Sequence, residues 1–283
     1  MIEVLKSGLM TSIQDHGRMN ASRFGVPKSG AMDRGSMDLA NMLLNNAKGS
    51  AVLEITFLGP ELKFKKPLWI CLTGADLSPV LNDNPLSMQH PILIDTDDVL
   101  RFGPPKYGIR TYLAVKGGFQ SEVVMGSQSQ YVPVTVSKGI QTGDLLVVNP
   151  ITSELISSEA HIRINHAKFQ REILEVFPGP EYDGLNDDQK ALIHDQFFTI
   201  SGLNNRMAYQ LEETIPNRLN PIITSHVLPG TVQLTPSGKM IILMRDAQTT
   251  GGYPRVLQLT EDSIDCLAQK FTKQKLRFTG QDI

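Results

Sequence analysis

Leu53-Glu54-Ile55-Thr56-Phe57-Leu58-Gly59-Pro60-Glu61 has a shorter counterpart in the second half, Leu174-Glu175-Val176-Phe177-Pro178-Gly179-Pro180-Glu181. Both put Leu-Glu on a strand-like run and end it with Gly-Pro-Glu. Two further matches follow in the same order. Residues 71–76, CLTGAD, are echoed by 199–204, TISGLN, and 107–118, YGIRTYLAVKGG, by 237–252, SGKMIILMRDAQTTGG. In the last pair Gly108 and Leu113 keep the spacing of Gly238 and Leu243. Gly-Pro and Gly-Gly pairs are common, so each match alone says little. Their shared order argues for an internal duplication whose loops have drifted in length.

Around this repeat most of the chain reads as strands. IEVLKSGLM, LWICLTG, DDVLRFG, RTYLAVKGG, DLLVVN, MIILMRDA and RVLQLT are short, rich in Val, Ile, Leu and Thr, and bounded by Gly, Pro, Asn or Asp. Helical patterning is confined to three places. In DRGSMDLANMLLNN, Asp33 is placed to cap, and Met37, Ala40, Met42, Leu43 and Leu44 give a broad apolar face. NDDQKALIHDQF opens on Asn186 or Asp187, with Leu192 and Ile193 expected to turn inward. EDSIDCLAQK is the third. Many strands and few helices predict a mostly β chain of two β-barrels, each closed over by a helix. The polar, unpatterned stretch 149–161 is the expected linker, which gives domains at 1–150 and 160–283.

Composition removes several classes of function. The chain has 283 residues, 41% of them apolar and 20% charged, as in a soluble globular protein. A net charge of −2 gives no basic field for nucleic acid or an acidic membrane face. No apolar run approaches the ~20 residues that span a bilayer, and the first residues do not read as a signal peptide. Cys71 and Cys266 lie far apart in apolar stretches and read as buried free thiols, which fits a cytoplasmic protein. No Walker-type phosphate loop, C-x-x-C, H-E-x-x-H or G-x-S-x-G is present. His161 and His166 would face opposite sides of a strand, so no metal site is expected from them. Lys239, in Gly-Lys-Met, lacks the preceding Met of a biotin attachment site.

Four polar clusters remain. Residues 14–33, QDHGRMNASRFGVPKSGAMD, put Asp15, His16, Arg18, Arg23, Ser29 and Asp33 along a loop punctuated by Gly17, Gly25, Pro27 and Gly30. Glycines let backbone N–H groups approach a ligand, and Ser29–Ala31 lead into a helix N-terminus that suits an anion. The alternative is a turn in which Asp15 pairs with Arg18 and Asp33 only caps. Asp76 ends a buried strand, where it is either a functional carboxylate or an Asx turn. Arg206, next to Asn205, is able to hold a carboxylate or phosphate through two parallel hydrogen bonds, or to form an ion pair within the chain. Asp246, Gln248, Thr249, Thr250 and Tyr253 crowd around Gly251-Gly252, and neutral groups of this kind orient an amide or ureido ligand.

Taken together, QDHGR, GVPKSGAMD, LEITFLGPELKF, LTGAD, YLAVKGG, PGPE, NRM, PGTVQ and DAQTTGGYP resemble the allophanate hydrolase subunit 2 family, also described as biotin-dependent carboxyltransferase-like. The resemblance runs from about residue 2 to about residue 279. It implies tandem cyclophilin-like barrels, in agreement with the repeat. It also implies a companion B-type subunit and, in stand-alone bacterial members, an A-type subunit. Such a complex opens the lactam 5-oxoproline to glutamate using ATP, with magnesium, at a site possibly shared with a partner. Two alternatives stay open: a carboxyltransferase acting on a urea-like amide with biotin on a separate carrier, and a non-catalytic regulator that binds a kinase-inhibitor-like partner. The family pattern carries over at Asp15, Gly17, Arg18, Gly25, Pro27, Ser29, Gly30, Asp33, Asp76, Asn205, Arg206 and Gln248 through Pro254. The expected roles are a base at Asp15, Asp33 or Asp76, an anion-holding Arg18 or Arg206, and substrate contacts from Ser29, Gly30, Asn205, Gln248, Thr249, Thr250 and Tyr253. The resemblance favours Asp15 and Arg18 over His16, which chemistry alone would have placed first. Ser225-His226 departs from the Ser-Glu usual in relatives.

Overall fold

The computed structural model describes residues 1–149 and 167–280. The proposed boundary near 150–160, most of the 149–161 linker, and His161 and His166 lie outside them. The described chain divides into two compact units, one of residues 1–19 and 29–149, the other of residues 20–28 and 167–280. No described helix is long and apolar enough to cross a membrane.

The first unit contains β1 (Ile2–Lys6), β2 (Met10–Gln14), α1 (Arg34–Leu43), β3 (Val52–Thr56), β4 (Glu61–Phe64), β5 (Leu68–Asp76), β6 (Val80–Leu81), β7 (Asn84–Pro85), β8 (Ile92–Ile94), β9 (Val99–Arg101), β10 (Tyr107–Val115), β11 (Phe119–Gln120) and β12 (Leu145–Val148). It is built as two sheets rather than as one closed ring. One has the order β11-β12-β1-β4-β9-β6-β7, the other β2-β3-β10-β5-β8. The alternation of side chains along a strand explains their packing. Leu53, Ile55, Ile70, Leu72, Leu113 and Val115 enter a core shared with Ile2, Val4, Leu62, Phe64 and Leu100 of the other sheet. The interleaved Val52, Cys71, Tyr112 and Ala114 face α1 instead.

Asp33 caps α1 by accepting from Ser36 N at 3.0 Å. Met37, Ala40 and Leu44 then recur at helical spacing and are fully buried. Each large side chain buried in this way contributes about 1.5–3 kcal/mol. Met42, expected on this face, points outward with 63% of its surface exposed, so the apolar stripe is narrower than the sequence suggests. At the other end of the helix, Lys116 Nζ donates to Leu44 O and Asn45 O, both at 3.0 Å. A cation there satisfies carbonyls that the helix leaves open.

The second unit contains α2 (Ala167–Gln170), β13 (Ile173–Pro178), α3 (Asp187–Asp195), β14 (Phe198–Asn204), β15 (Ala208–Thr214), β16 (Ser225–His226), β17 (Thr231–Leu234), β18 (Lys239–Leu243), β19 (Thr250–Gly251), β20 (Arg255–Leu259), α4 (Glu261–Ala268) and β21 (Lys275–Gly280). Seven of its strands close into a barrel in the order β13-β20-β17-β18-β15-β14-β21. The parallel pair of β13 with β21, which sets Leu174 beside Phe278, completes the ring and leaves no open edge. Leu174, Val176, Ile200, Leu211, Val232, Ile242, Leu257 and Phe278 are buried. Asn186 and Gln189 form a reciprocal capping box on α3. Ile193 of that helix is buried, but Leu192 is 39% exposed, so only one of the two faces inward.

The matched segments β3, β10 and β5 are direct neighbours in the first unit. In the barrel β21 separates β13 from β14, and β15 separates β14 from β18. The two Gly-Pro-Glu copies nevertheless do the same work. Glu61 accepts from Arg101 Nε at 2.9 Å, and Glu181 accepts from Arg255 Nε at 3.0 Å and from Nη2 at 2.7 Å.

Candidate functional site

The 14–18 loop is fastened from several sides. Asp15 Oδ1 accepts from Gly17 N at 2.7 Å and from the hydroxyls of Ser127 and Ser129 at 2.6 Å each. Its Oδ2 accepts from Gln128 N at 2.7 Å. Four donors occupy this carboxylate, which leaves it poorly placed to act as a base, and the alternative in which Asp15 pairs with Arg18 is not what holds the loop. Arg18 is buried and donates from Nη2 to Ser129 O at 2.5 Å. Asp15 and Arg18 thus both anchor the 127–129 segment.

Gly30 joins the two ends of the motif. Its φ is +95°, and a Cβ there would stand 2.9 Å from Asp15 O, Gly17 N and His16 C. Ala31 N donates to Asp15 O at 2.9 Å. Ser29 is buried with φ +55°, and its Oγ has no hydrogen-bond partner among the described residues. Asp33 is fully buried, and both its oxygens are engaged by Ser36, through N at 3.0 Å and Oγ at 2.6 Å. It is a helix cap, not a base. Beneath this segment lies a polar network that the sequence reading missed. Glu54 Oε2 accepts from Met32 N at 2.7 Å and from Tyr112 OH at 2.9 Å, while Tyr112 OH accepts from Asp33 N at 2.7 Å. Burial, and then the neighbouring Glu54 and Asp33 charges, push the Tyr112 hydroxyl well above its ordinary pKa, so it stays protonated. The signal was present in the strand pattern: Glu54 and Tyr112 are polar positions opposite each other in the β3–β10 ladder.

Asp76 resolves to the turn alternative. Its Oδ1 accepts from Ser78 N at 2.8 Å, and its Oδ2 from Lys106 Nζ at 3.1 Å.

In the second unit Arg206 is not free for an anion. Its Nε donates to Asp246 Oδ2 at 2.7 Å and its Nη2 to Oδ1 at 3.1 Å. Asn205 Oδ1 accepts from Met207 N and Ala208 N, which makes it a turn former. The 248–253 run is different. Gln248, Thr250 and Tyr253 are exposed and Thr249 is half-buried. Their side chains make no hydrogen bonds among the described residues. The backbone around them is well held: Thr250 pairs with His226 and Gly251 with Ser225, Val227 N donates to Thr249 O, and Ile222 N to Gly252 O. Arg255 Nη1 donates to His226 O at 3.0 Å. Neutral donors and acceptors are thus presented to solvent on a fixed frame, which is what orienting a small polar ligand requires. Among the described residues no group of three or more His, Cys, Asp or Glu side chains could hold a metal ion.

A family profile described as "Carboxyltransferase domain, subdomain A and B" matches residues 24–280, most of the chain. The chain belongs to this carboxyltransferase domain family. It is 30% identical to the C-type subunit of 5-oxoprolinase from Escherichia coli strain K12, over 98% of this chain and 90% of that protein. It is 34% identical to the urea amidolyase of Lachancea kluyveri over 55% of this chain, which is 9% of that enzyme. The crystal structure of TTHA0988 superposes with a TM-score of 0.89 at 25% identity, covering 98% of this chain and 55% of that one. The chain therefore spans just over half of that structural relative. Within this carboxyltransferase domain, the family profile takes in the Ser29–Asp33 and 246–254 motifs and begins after the 14–18 loop.

Proposed function

We propose that this chain is the C-type component of an ATP-dependent 5-oxoprolinase and works with B-type and A-type companion subunits to open 5-oxoproline to glutamate. One observation carries the reading. The match to the 5-oxoprolinase component of Escherichia coli runs nearly end to end in both proteins, whereas the match to urea amidolyase takes in a small fraction of that enzyme. A lactam carbonyl is a poor electrophile, and phosphorylating its oxygen makes it a better one for water to attack. Such a reaction needs donors that fix the amide and groups that move its protons. In this reading Gln248, Thr249 and Thr250 hold the amide, with Tyr253 beside them. Asp15, Arg18, Asp33, Ser29 and Gly30 shape the first unit's loop, and Arg206 and Asn205 support the 246–253 run. In this reading ATP, with magnesium, binds at a site shared with one of the companions. A cytoplasmic location is part of the same reading, supported by two free buried thiols.

The test is to purify the chain with its companions and follow ADP release. The reading expects release that depends on 5-oxoproline and falls in Gln248→Ala. Release without 5-oxoproline, or unchanged in that variant, overturns it. The family description and the urea amidolyase match favour a second reading, carboxyl transfer from biotin on a separate carrier to a urea-like amide. Biotin-dependent carboxylation of urea by the complex, without lactam opening, would select it.

A further inference from the structure

The 248–253 run has a second strand beside it. β16 and β19 form a two-stranded ribbon in which Ser225 pairs with Gly251 and His226 with Thr250. Directly opposed residues of an antiparallel pair share a face, with Cβ atoms about 4.5–5.5 Å apart. The two faces of the ribbon have different surroundings. A Cβ at Gly251 would stand 2.5 Å from Nε2 of the buried Gln233 on β17, so the Ser225–Gly251 face lies against the barrel. Side chains alternate along a strand. His226 and Thr250 therefore take the opposite face, and both are exposed. The backbone beneath them is held, since Arg255 Nη1 donates to His226 O at 3.0 Å and Val227 N to Thr249 O at 3.1 Å.

The charged groups around this ribbon are largely matched within the second unit. Arg255 pairs with Glu181, and Arg206 with Asp246. Tyr253 adds an exposed phenol, and Arg218 is exposed on the 216–224 segment that joins the ribbon through Ile222. Neither ring nitrogen of His226 makes a hydrogen bond among the described residues. A secondary amide has a carbonyl that accepts and an N–H that donates. The Gln248 amide and the Thr249 and Thr250 hydroxyls supply donors for the carbonyl. The N–H needs an acceptor beside them. The Asp246 and Glu181 carboxylates already accept from arginines, and the carbonyls of Thr249, Gly252 and His226 already accept within the chain. A neutral imidazole keeps one nitrogen lone pair.

We propose that His226 accepts the N–H of the amide held by Gln248, Thr249 and Thr250, and so selects secondary amides over N-alkylated ones. This rests on the assignment of those three residues to the amide under the reading above. Histidine is the side chain whose charge ordinarily changes between about pH 5 and 8. A protonated imidazole has no lone pair to offer, so amide binding is strong at the upper end of that range and weakens as pH falls.

The experiment uses the reconstituted complex with nitrogen-15 histidine in this chain. At about pH 8 it is titrated with 2-pyrrolidinone, which carries the N–H, and with N-methyl-2-pyrrolidinone, which does not. The unprotonated ring nitrogen of His226 is expected to shift with the first and not the second. Equal shifts, or none, overturn the proposal whether or not the complex opens a lactam. In turnover of 5-oxoproline, His226→Ala is expected to raise KM about 5- to 10-fold with little change in kcat or in the thermal midpoint. His226→Glu, whose carboxylate stays ionised over this range, should keep KM near wild type at about pH 8. It should also remove the rise in KM that the wild type shows toward about pH 5.5. A wild-type KM that falls with pH, or a rise that persists in His226→Glu, overturns the proposal. If the complex opens no lactam but the N–H-dependent shift is seen, the reading of function fails and the acceptor role stands.

Discussion

Arg206 and Asp246 grip each other through two parallel hydrogen bonds, at 2.7 and 3.1 Å, with 10% and 7% of their side chains exposed. Asp246 N also donates to Arg206 O at 2.9 Å, so the pair ties the 205–207 turn to the start of the 246–253 run. Removing one member of such a pair strands a charge in a poorly solvated place. Asp246→Ala is expected to lose about 3 kcal/mol in urea denaturation. Replacing both residues with apolar ones of similar size should recover much of that loss. If Asp246→Ala unfolds like the wild type, the pair is not an anchor.

Two glycines in the N-terminal motif separate conformational strain from crowding. Gly25 and Gly30 both have positive φ, +72° and +95°, but only Gly30 is closely surrounded. A Cβ at Gly25 meets nothing within 4 Å, whereas at Gly30 it meets three backbone atoms at 2.9 Å. Gly25→Ala should therefore cost about 1 kcal/mol, the left-handed penalty alone. Gly30→Ala should cost several times more, because backbone cannot move aside as a side chain can. Equal midpoints for the two variants in thermal unfolding would contradict this account.

Ser129 both donates to Asp15 Oδ1 and accepts from Asp15 N. Asp15→Ala and Ser129→Ala should each destabilise, and the double variant should lose less than their sum by about 1–2 kcal/mol. Additive losses would mean that the two residues act separately.

Burial pushes the Cys71 thiol up to about 12, and Cys266 is equally enclosed. Neither should react with a thiol reagent at pH 8 in the folded chain, and both should react in denaturant. Fast labelling of Cys71 in the native state would contradict its place under α1.

Periodicity and punctuation in the sequence were enough to read the β content, the three longer helices and the Asp33 cap, because each depends on neighbours a few residues away. Closure of the barrel was not legible. It depends on β21 lying parallel to β13, and nothing local in Lys275–Gly280 announces a partner a hundred residues earlier. The candidate site shows the same limit. A carboxylate in a loop looks alike whether it faces substrate or four donors, and the donors to Asp15 come from residues 127–129. For Asp76 and Arg206 the sequence left two alternatives open for the same reason, since Lys106 and Asp246 meet them from distant positions. The side chains of Gln248, Thr249 and Thr250, by contrast, have no such distant partner among the described residues.

Glu181 makes stability depend on pH with a predictable sign. Its hydrogen bonds from the Arg255 side chain hold its carboxyl below the ordinary value of 4.5, against the opposing effect of partial burial. Glu61 is lowered in the same way, first by Lys6 and then by Arg101. A carboxyl that is more acidic in the folded chain binds protons more readily when unfolded, so protons favour unfolding. The contribution is fully present above the unfolded pKa and is lost as pH falls through the lower folded value. Glu181→Gln should therefore unfold at a lower temperature than the wild type at neutral pH. The gap should narrow as pH falls below 4.5. A gap of constant size down to strongly acid pH would show that Arg255 holds Glu181 by shape and not by charge.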